Sequence, residues 1–365
     1  MRIPASVTRN QPLASFTTLE LGGPAEFFCQ PRTQQELKEV CAWAKVAGLP
    51  VTVLAGGSNV VIADGGVSGL VLRVAWQGLE VEKREETVTV IAQAGTHLDE
   101  VVSLSVAEGW AGLECLSGIP GSVGATPVQN VGAYGQEVAE CILWVEVFHR
   151  EHLTFQRLSC EACGFAYRSS IFRGQRQWII TRVAFRLLPQ GSPTLRYPEL
   201  AELFRGSARP SLAEVRQAVL SLRQKKGMVL TPGLPESRTV GSFFKNPVLS
   251  FEAFERLKTR LWEQGVLLFP QEPPNFAVPA GIKVPAAWLV EQAGFPKGTR
   301  RGPVGVSPLH ALSLVHWGGG TAEALVAFAS EIQRAVKQAF GITLEPEPVF
   351  VGFSQDLPLE RATCL

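Results

Sequence analysis

Three short polar sets are of types that do chemistry. Gly241-Ser242-Phe-Phe-Lys245-Asn246-Pro247 sets a hydroxyl between a glycine and two aromatic rings, where it can be desolvated and held in place. Tyr167-Arg168-Ser-Ser-Ile-Phe172 carries a guanidinium able to fork onto a carboxylate. Leu344-Glu345-Pro-Glu347-Pro348 offers Glu347 as an acid or charge partner. No Gly-x-Ser-x-Gly elbow surrounds Ser242, which argues against serine-hydrolase chemistry. Taken singly, each set also has an ordinary meaning: a turn, a surface ion pair, the entry to a C-terminal strand.

Two glycine-rich segments suit a ligand. In Ala55-Gly56-Gly57-Ser58-Asn59, successive N–H groups can form an anion-binding nest, to which Ser58 and Asn59 add side-chain donors. A tight turn between strands is the equal alternative. The spacing is not Gly-x-Gly-x-x-Gly and no helix pattern follows, so a Rossmann site is disfavoured. Gly118-Ile-Pro120-Gly121-Ser122-Val-Gly124-Ala-Thr-Pro-Val-Gln129-Asn130-Val-Gly132-Ala133-Tyr134-Gly135 is poor helix and poor strand. So long a glycine-dense run inside a structured region suits wrapping a large cofactor, with an Ω-loop as the alternative. The two segments could converge on one diphosphate.

The elements that must position these residues are visible in the pattern. A capping box at Thr33-Gln-Gln-Glu36 opens a helix ending near Gly48. A buried strand is expected at 50–55, leading straight into Gly56–Asn59, with others at 70–74 and 88–92. A helix follows at 98–108, then strands at 143–148 and 178–187. A Pro/Gly-rich stretch at 189–210 reads as a boundary. Beyond it, a second box at Ser211-Leu-Ala-Glu214 opens a helix ending in the basic run Arg223-Gln-Lys225-Lys226. Further helices are expected at 250–264, 285–293 and 322–340. The last carries one apolar stripe (Leu325, Phe328, Ile332, Val336, Phe340) that belongs to a core. The pattern is α+β in two halves, before and after about residue 210.

Composition excludes several classes. The 365 residues suggest two or three domains, and 34 Lys+Arg against 33 Asp+Glu give a net charge of +1, against a dedicated nucleic-acid binder. Seven cysteines, an odd number thinly spread, read as reduced thiols. Cys160-Glu-Ala-Cys163 is a lone C-x-x-C, and no metal role is expected of it. The start of the chain lacks the apolar run of a signal peptide, and no stretch reaches about 18 uninterrupted apolar residues. The expectation is a cytoplasmic monomer without nucleic-acid, membrane or obligate protein partners.

From about Thr17 to about Gly352 these segments, in order, resemble the UDP-N-acetylenolpyruvoylglucosamine reductase (MurB) family, flavoenzymes of peptidoglycan precursor synthesis. Gly118–Gly135 and Gly241–Pro247 carry most of the likeness. The resemblance implies an FAD-binding region of the vanillyl-alcohol-oxidase type in two subdomains, 1–75 and 76–210, with the strand at about 343–355 joining the second, and a substrate domain at 211–342. It implies that NADPH reduces FAD, and that the enolpyruvyl ether of UDP-N-acetylglucosamine is then reduced to UDP-N-acetylmuramate. By motif, Ser242 matches the proton donor, and Arg168 and Glu347 the pair that polarises the substrate carboxylate. Residues 56–59 and 118, 120–122, 124, 129, 130 and 132–134 would hold the cofactor. Tyr197, in Leu195-Arg-Tyr-Pro-Glu-Leu200, matches the tyrosine that the longer-looped class places over the substrate diphosphate; Lys226 and Asn246 would also bind substrate.

Departures from the family pattern are Ala55 for a first glycine, Thr126 for alanine, Pro348-Val349 for Val-Arg, and Lys226-Gly-Met-Val-Leu230 with a longer following loop. Two other functions share parts of this pattern. An FAD oxidase of another small molecule would keep the flavin segments without the Ser242 motif, and a non-catalytic nucleotide binder would have no reason to keep all three chemical residues.

Overall fold

The computed structural model describes residues 2–206, 209–231, 233–353, 357–361 and 363–364. The chain folds into two units. The first comprises the N-terminal residues to Gln11, Ala25–Gly57 and Val67–Leu230; the second comprises Pro12–Pro24, Ser58–Gly66 and the chain from Thr231 onward.

In the first unit, Thr33 caps helix α1 (Gln34–Val46), its Oγ1 accepting the Glu36 N–H at 3.1 Å, while Glu36 accepts the Arg32 N–H at 2.7 Å. The apolar face of α1 (Leu37, Val40, Cys41, Ala44) packs on Phe27, Leu70 and Leu72 of a four-stranded sheet. That sheet has the order Val7–Pro12, Pro24–Cys29, Val67–Arg73, Val51–Leu54. Its last three strands run parallel, which buries them on near-continuous apolar runs. A second, antiparallel sheet has the order Thr154–Ser159, Ile142–His149, Trp178–Pro189, Val88–Gln93, Leu79–Lys83, with Trp110–Ala111 on the end of Trp178–Pro189. Helix α2 (Leu98–Ala107) lays Leu98, Val101 and Val102 into its core.

Helices α3 (Pro198–Leu203) and α4 (Leu212–Lys225) complete this unit. Ser211 and Glu214 form the reciprocal capping box that opens α4. Val215, Val219 and Leu222 then pack on Leu200, Cys115 and Tyr134. This packing extends the first unit past the Pro/Gly-rich stretch at 189–210, to Leu230.

The second unit gathers α5 (Phe251–Glu263), α6 (Ala286–Gln292) and α7 (Ala322–Phe340) around one core holding Phe243, Phe244, Leu257, Leu289, Ile332 and Phe350. Three short sheets flank it. One pairs Val349–Val351 in parallel with Val60–Ile62, the strand that follows Gly56–Asn59 in sequence. Asp64, after that strand, accepts the Ala322 and Glu323 N–H groups at 2.9 Å each and so caps α7 together with Thr321. The mixed helix and strand content makes the protein α+β.

Candidate active site

The two glycine-rich segments converge within the first unit. A Cβ built on Gly56 would lie 2.9 Å from Gly121 Cα and 3.2 Å from Ser122 N, so only glycine allows this backbone approach. Gly57 has φ +66, while Ala55 has no left-handed φ, so the alanine in place of a first glycine costs nothing. Gly121 O accepts the Leu98 N–H at 3.1 Å, and Gly124 N–H donates to Ala94 O at 2.8 Å. The loop is therefore sewn to the start of α2 and to the chain just before it. The Thr126 hydroxyl donates to Val123 O at 2.8 Å, which absorbs that departure locally. Ser122 is 6% exposed, and its buried Oγ has no hydrogen-bond partner. An orphaned hydroxyl beside a backbone cradle suits an oxygen-rich ligand such as a nucleotide diphosphate.

The rest of the segment is tied down differently. Asn130 (φ +47, 1% exposed) donates from Nδ2 to Glu137 Oε2 at 2.6 Å and to Ala166 O at 3.2 Å, and Oδ1 accepts the Ala139 N–H at 3.1 Å. Its amide thus braces the loop. Arg168 also has a left-handed φ of +53, and its Nη2 donates to Gly132 O at 3.0 Å. Tyr134, grouped in sequence with the cofactor segment, packs edge-on against Tyr197 with ring centroids 5.2 Å apart. Lys226 Nζ lies 5.7 Å from the Tyr134 centroid and 5.9 Å from that of Tyr197, and pairs with Glu199 at 2.6 Å. Burial pushes the Tyr134 hydroxyl up to about 12. The Arg223 guanidinium, 7% exposed, is pulled down by burial and faces Tyr134 and Asp99. Two tyrosines, a lysine and a buried arginine thus form one cationic, aromatic cluster suited to a phosphate-bearing ligand.

In the second unit the structure brings the segments of Ser242 and Glu347 side by side, joined by an isolated bridge between Phe244 and Pro346. Ser242 bridges Ser313 in antiparallel fashion, and Phe243 N–H donates to Leu312 O at 2.8 Å. On the other side Glu347 N–H donates to Phe243 O at 2.9 Å, and Lys245 N–H to Glu345 O at 2.9 Å. Asn59 Nδ2 donates to Glu347 O at 3.4 Å, and Val349 N–H to Asn59 O at 3.0 Å. Ser58 lies in this unit with Asn59, whereas Gly56 and Gly57 lie in the first. Asn246 accepts the Ala286 N–H at 2.9 Å and so caps α6. Lys245 is paired with Glu345.

Several residues around these sites were not singled out from sequence. Glu114, 1% exposed, accepts from Gly112 N at 2.9 Å, Thr194 N at 2.7 Å and Gln136 Nε2 at 3.2 Å, linking the end of the glycine segment to the chain just before Tyr197. Thr239 Oγ1 and Ser313 Oγ, 2.8 Å apart, flank the Ser242 segment. None sits in a motif, and only the buried polar character of their contacts marks them. The C-x-x-C pair behaves as structure: Cys163 is buried, its thiol pushed up to about 12 by burial, and Cys160 Sγ lies 3.5 Å from Ala139 O. Among the described residues no group of three His, Cys, Asp or Glu could hold a metal, and no helix is long and apolar enough to cross a membrane.

A model of an FAD binding domain matches residues 25–151, and the glycine cradle falls inside it; the chain is an FAD-binding flavoprotein. A model of the UDP-N-acetylenolpyruvoylglucosamine reductase C-terminal domain matches residues 234–351. The chain belongs to the UDP-N-acetylenolpyruvoylglucosamine reductase family. It is 46% identical over 355 residues to the reductase of Thermobifida fusca, covering 95% of this chain and 98% of that one. To the reductase of Salinispora arenicola it is 48% identical over 350 residues, covering 93% and 94%. The crystal structure of the reductase (MurB) from Thermus caldophilus superposes with a TM-score of 0.64 at 26% identity, covering 96% of this chain and 99% of that one.

Proposed function

We propose that this protein reduces the enolpyruvyl ether of UDP-N-acetylglucosamine to UDP-N-acetylmuramate, with NADPH as reductant, for peptidoglycan precursor synthesis. The observation that supports the chemistry is that the segment carrying Ser242 runs alongside the segment carrying Glu347, Glu347 N–H donating to Phe243 O at 2.9 Å across about a hundred residues of sequence. Bound FAD supplies the hydride relay between NADPH and the enolpyruvyl double bond. The cradle of Gly56, Gly57, Gly121 and Ser122 is suited to its diphosphate.

Hydride arriving at the methylene carbon of the ether leaves negative charge on the carbon beside the substrate carboxylate. Arg168 and Glu347 are assigned to polarise that carboxylate, and Ser242 to deliver the proton. A serine hydroxyl is a weak acid, so the role demands a rigid seat. Phe243 and Phe244, both buried, and the flanking backbone bonds provide one. Tyr197, edge-on to Tyr134, and Lys226, over both rings, are assigned to the nucleotide diphosphate. Asn246 is assigned to substrate through whatever its Ala286 bond leaves of the amide.

The test is direct. The purified protein should carry a flavin absorption band and oxidise NADPH faster when the enolpyruvyl nucleotide is added. A colourless protein that cannot be reconstituted with FAD, or one whose NADPH oxidation ignores the nucleotide, would overturn the proposal.

A further inference from the structure

Asp99 lies in the first turn of α2, outside the glycine-rich segments and the three polar sets. Its Oδ1 accepts the Gly118 N–H at 2.7 Å and Arg216 Nη1 at 2.7 Å, while Oδ2 accepts Arg216 Nη2 at 2.8 Å. One carboxylate therefore ties the head of the glycine segment to the first half of α4. Gly118 has φ +70, and a Cβ there would meet Leu220 Cδ2, also on α4, at 2.7 Å. The loop head thus seats on α4 twice, by close packing and through the carboxylate. Further along, α4 brings Arg223 beside Tyr134, and Lys226 follows at its end. Burial raises the Asp99 carboxyl, but Arg216, the Gly118 N–H and Arg223 together outweigh it and hold the group below its ordinary value. It is therefore ionised, and its bonds to Arg216 and Gly118 are of the strong, charge-assisted kind.

We propose that Asp99 is a positioning residue for cofactor binding, which with Arg216 locks Gly118 in its left-handed conformation and fixes the seat of the cofactor loop on α4. The loss of either partner leaves Gly118 free to leave that conformation, and the loop then has to be ordered at the expense of FAD binding. The inference rests on the assignment of Gly118–Gly135 to FAD.

The experiment measures FAD affinity on flavin-stripped protein by fluorescence titration, with far-ultraviolet circular dichroism to confirm folding. Asp99→Ala is expected to raise the FAD dissociation constant about tenfold or more, as loss of charge-assisted bonds implies. Asp99→Asn keeps an acceptor for Gly118 and should fall between wild type and Asp99→Ala. Arg216→Ala should weaken binding less than Asp99→Ala, and the double variant should be no worse than Asp99→Ala, since both act through one strut. Wild-type affinity in Asp99→Ala, or effects of the two single variants that multiply in the double, would overturn the proposal. If Asp99→Ala does not fold, Asp99→Asn and Arg216→Ala decide, and wild-type affinity in both overturns it. Gly121→Val separates the premises. Unchanged FAD affinity in that variant refutes the loop assignment itself; weakened affinity there with none in the Asp99 variants refutes only the strut.

Discussion

Replacing Ser242 by alanine separates chemistry from architecture. The segment is held by backbone: Phe243 N–H to Leu312 O at 2.8 Å, Glu347 N–H to Phe243 O at 2.9 Å, and the Ser242–Ser313 bridge. None of these uses the Ser242 hydroxyl. Removing one half-buried oxygen should therefore alter stability by no more than about 0.5 kcal/mol, or roughly 1–2 °C in Tm for a unit of this size. The catalytic cost is of another order. A positioned general acid contributes about 10²–10⁴ in rate, equal to roughly 3–5 kcal/mol in the barrier. The assay has two arms. Stopped-flow bleaching of the flavin band by NADPH alone should match wild type, because no proton from Ser242 is needed there. Nucleotide-dependent turnover should fall about a thousandfold. Turnover within tenfold of wild type would refute the assignment of the proton donor. A matching loss in both arms would instead mean that the hydroxyl supports the cofactor, and would refute the reasoning equally.

Other positions test other parts of the structure. Gly56→Ala forces a Cβ to 2.9 Å from Gly121 Cα, backbone against backbone, and overpacking of about 1–3 kcal/mol should weaken FAD binding roughly five- to 150-fold in apoprotein titration. Gly48→Ala, with φ +66 and open space around it, should lower Tm while leaving FAD affinity alone. Asn246→Ala removes the acceptor for Ala286 N–H and should destabilise by about 1 kcal/mol in denaturant unfolding, whereas Asn246→Asp, which keeps an acceptor, should not. Glu146 is held below its ordinary value: burial raises it, but the fork from Arg182 (2.9 and 2.6 Å) and the Thr181 hydroxyl outweigh this. Its contribution to stability is thus complete above the unfolded value of 4.5 and lost as pH falls through the lower folded value. Glu146→Gln should lower Tm near neutral pH and narrow its gap to wild type as the solution is acidified through that window.

Much of the element pattern was legible because local signals agreed with tertiary needs. The cap at Thr33 and the box at Ser211 open helices, though Glu36 reaches the Arg32 N–H instead of closing a box on Thr33, and the stripe Leu325–Phe340 is buried on α7. Long strands with apolar runs, such as Trp178–Pro189, likewise declare themselves. Shorter pieces do not. Val60–Ile62 is three residues long and is a strand because Val349–Val351, far away in sequence, pairs with it in parallel. No window on the sequence contains that partner. α4 follows the Pro/Gly-rich stretch yet packs with what precedes it, because Val215, Val219 and Leu222 find their apolar surface at Cys115, Tyr134 and Leu200.

The candidate site was legible where residue type restricts chemistry and opaque where a common residue acts through position. Paired glycines at 56–57 and the glycine run from 118 announce close backbone approach, since few other uses suit them. An amide such as Asn130 or Asn246 announces nothing of the kind. Both stand in motifs associated with ligands, yet the first spends both its atoms bracing Glu137, Ala139 and Ala166, and the second caps α6. Asp99 is the converse, a first-turn acid of the sort that favours any helix N-terminus, and so invisible by type. Its contact with Gly118 exists because the loop head meets both α2, through Asp99, and α4, through Leu220. A motif therefore marks where a ligand approaches more reliably than it marks which side chains touch it. At Asn246, which caps α6 and is also assigned to substrate, the two meanings overlap, and substitutions there and at Asp99 separate a residue that touches a ligand from one that holds the frame around it.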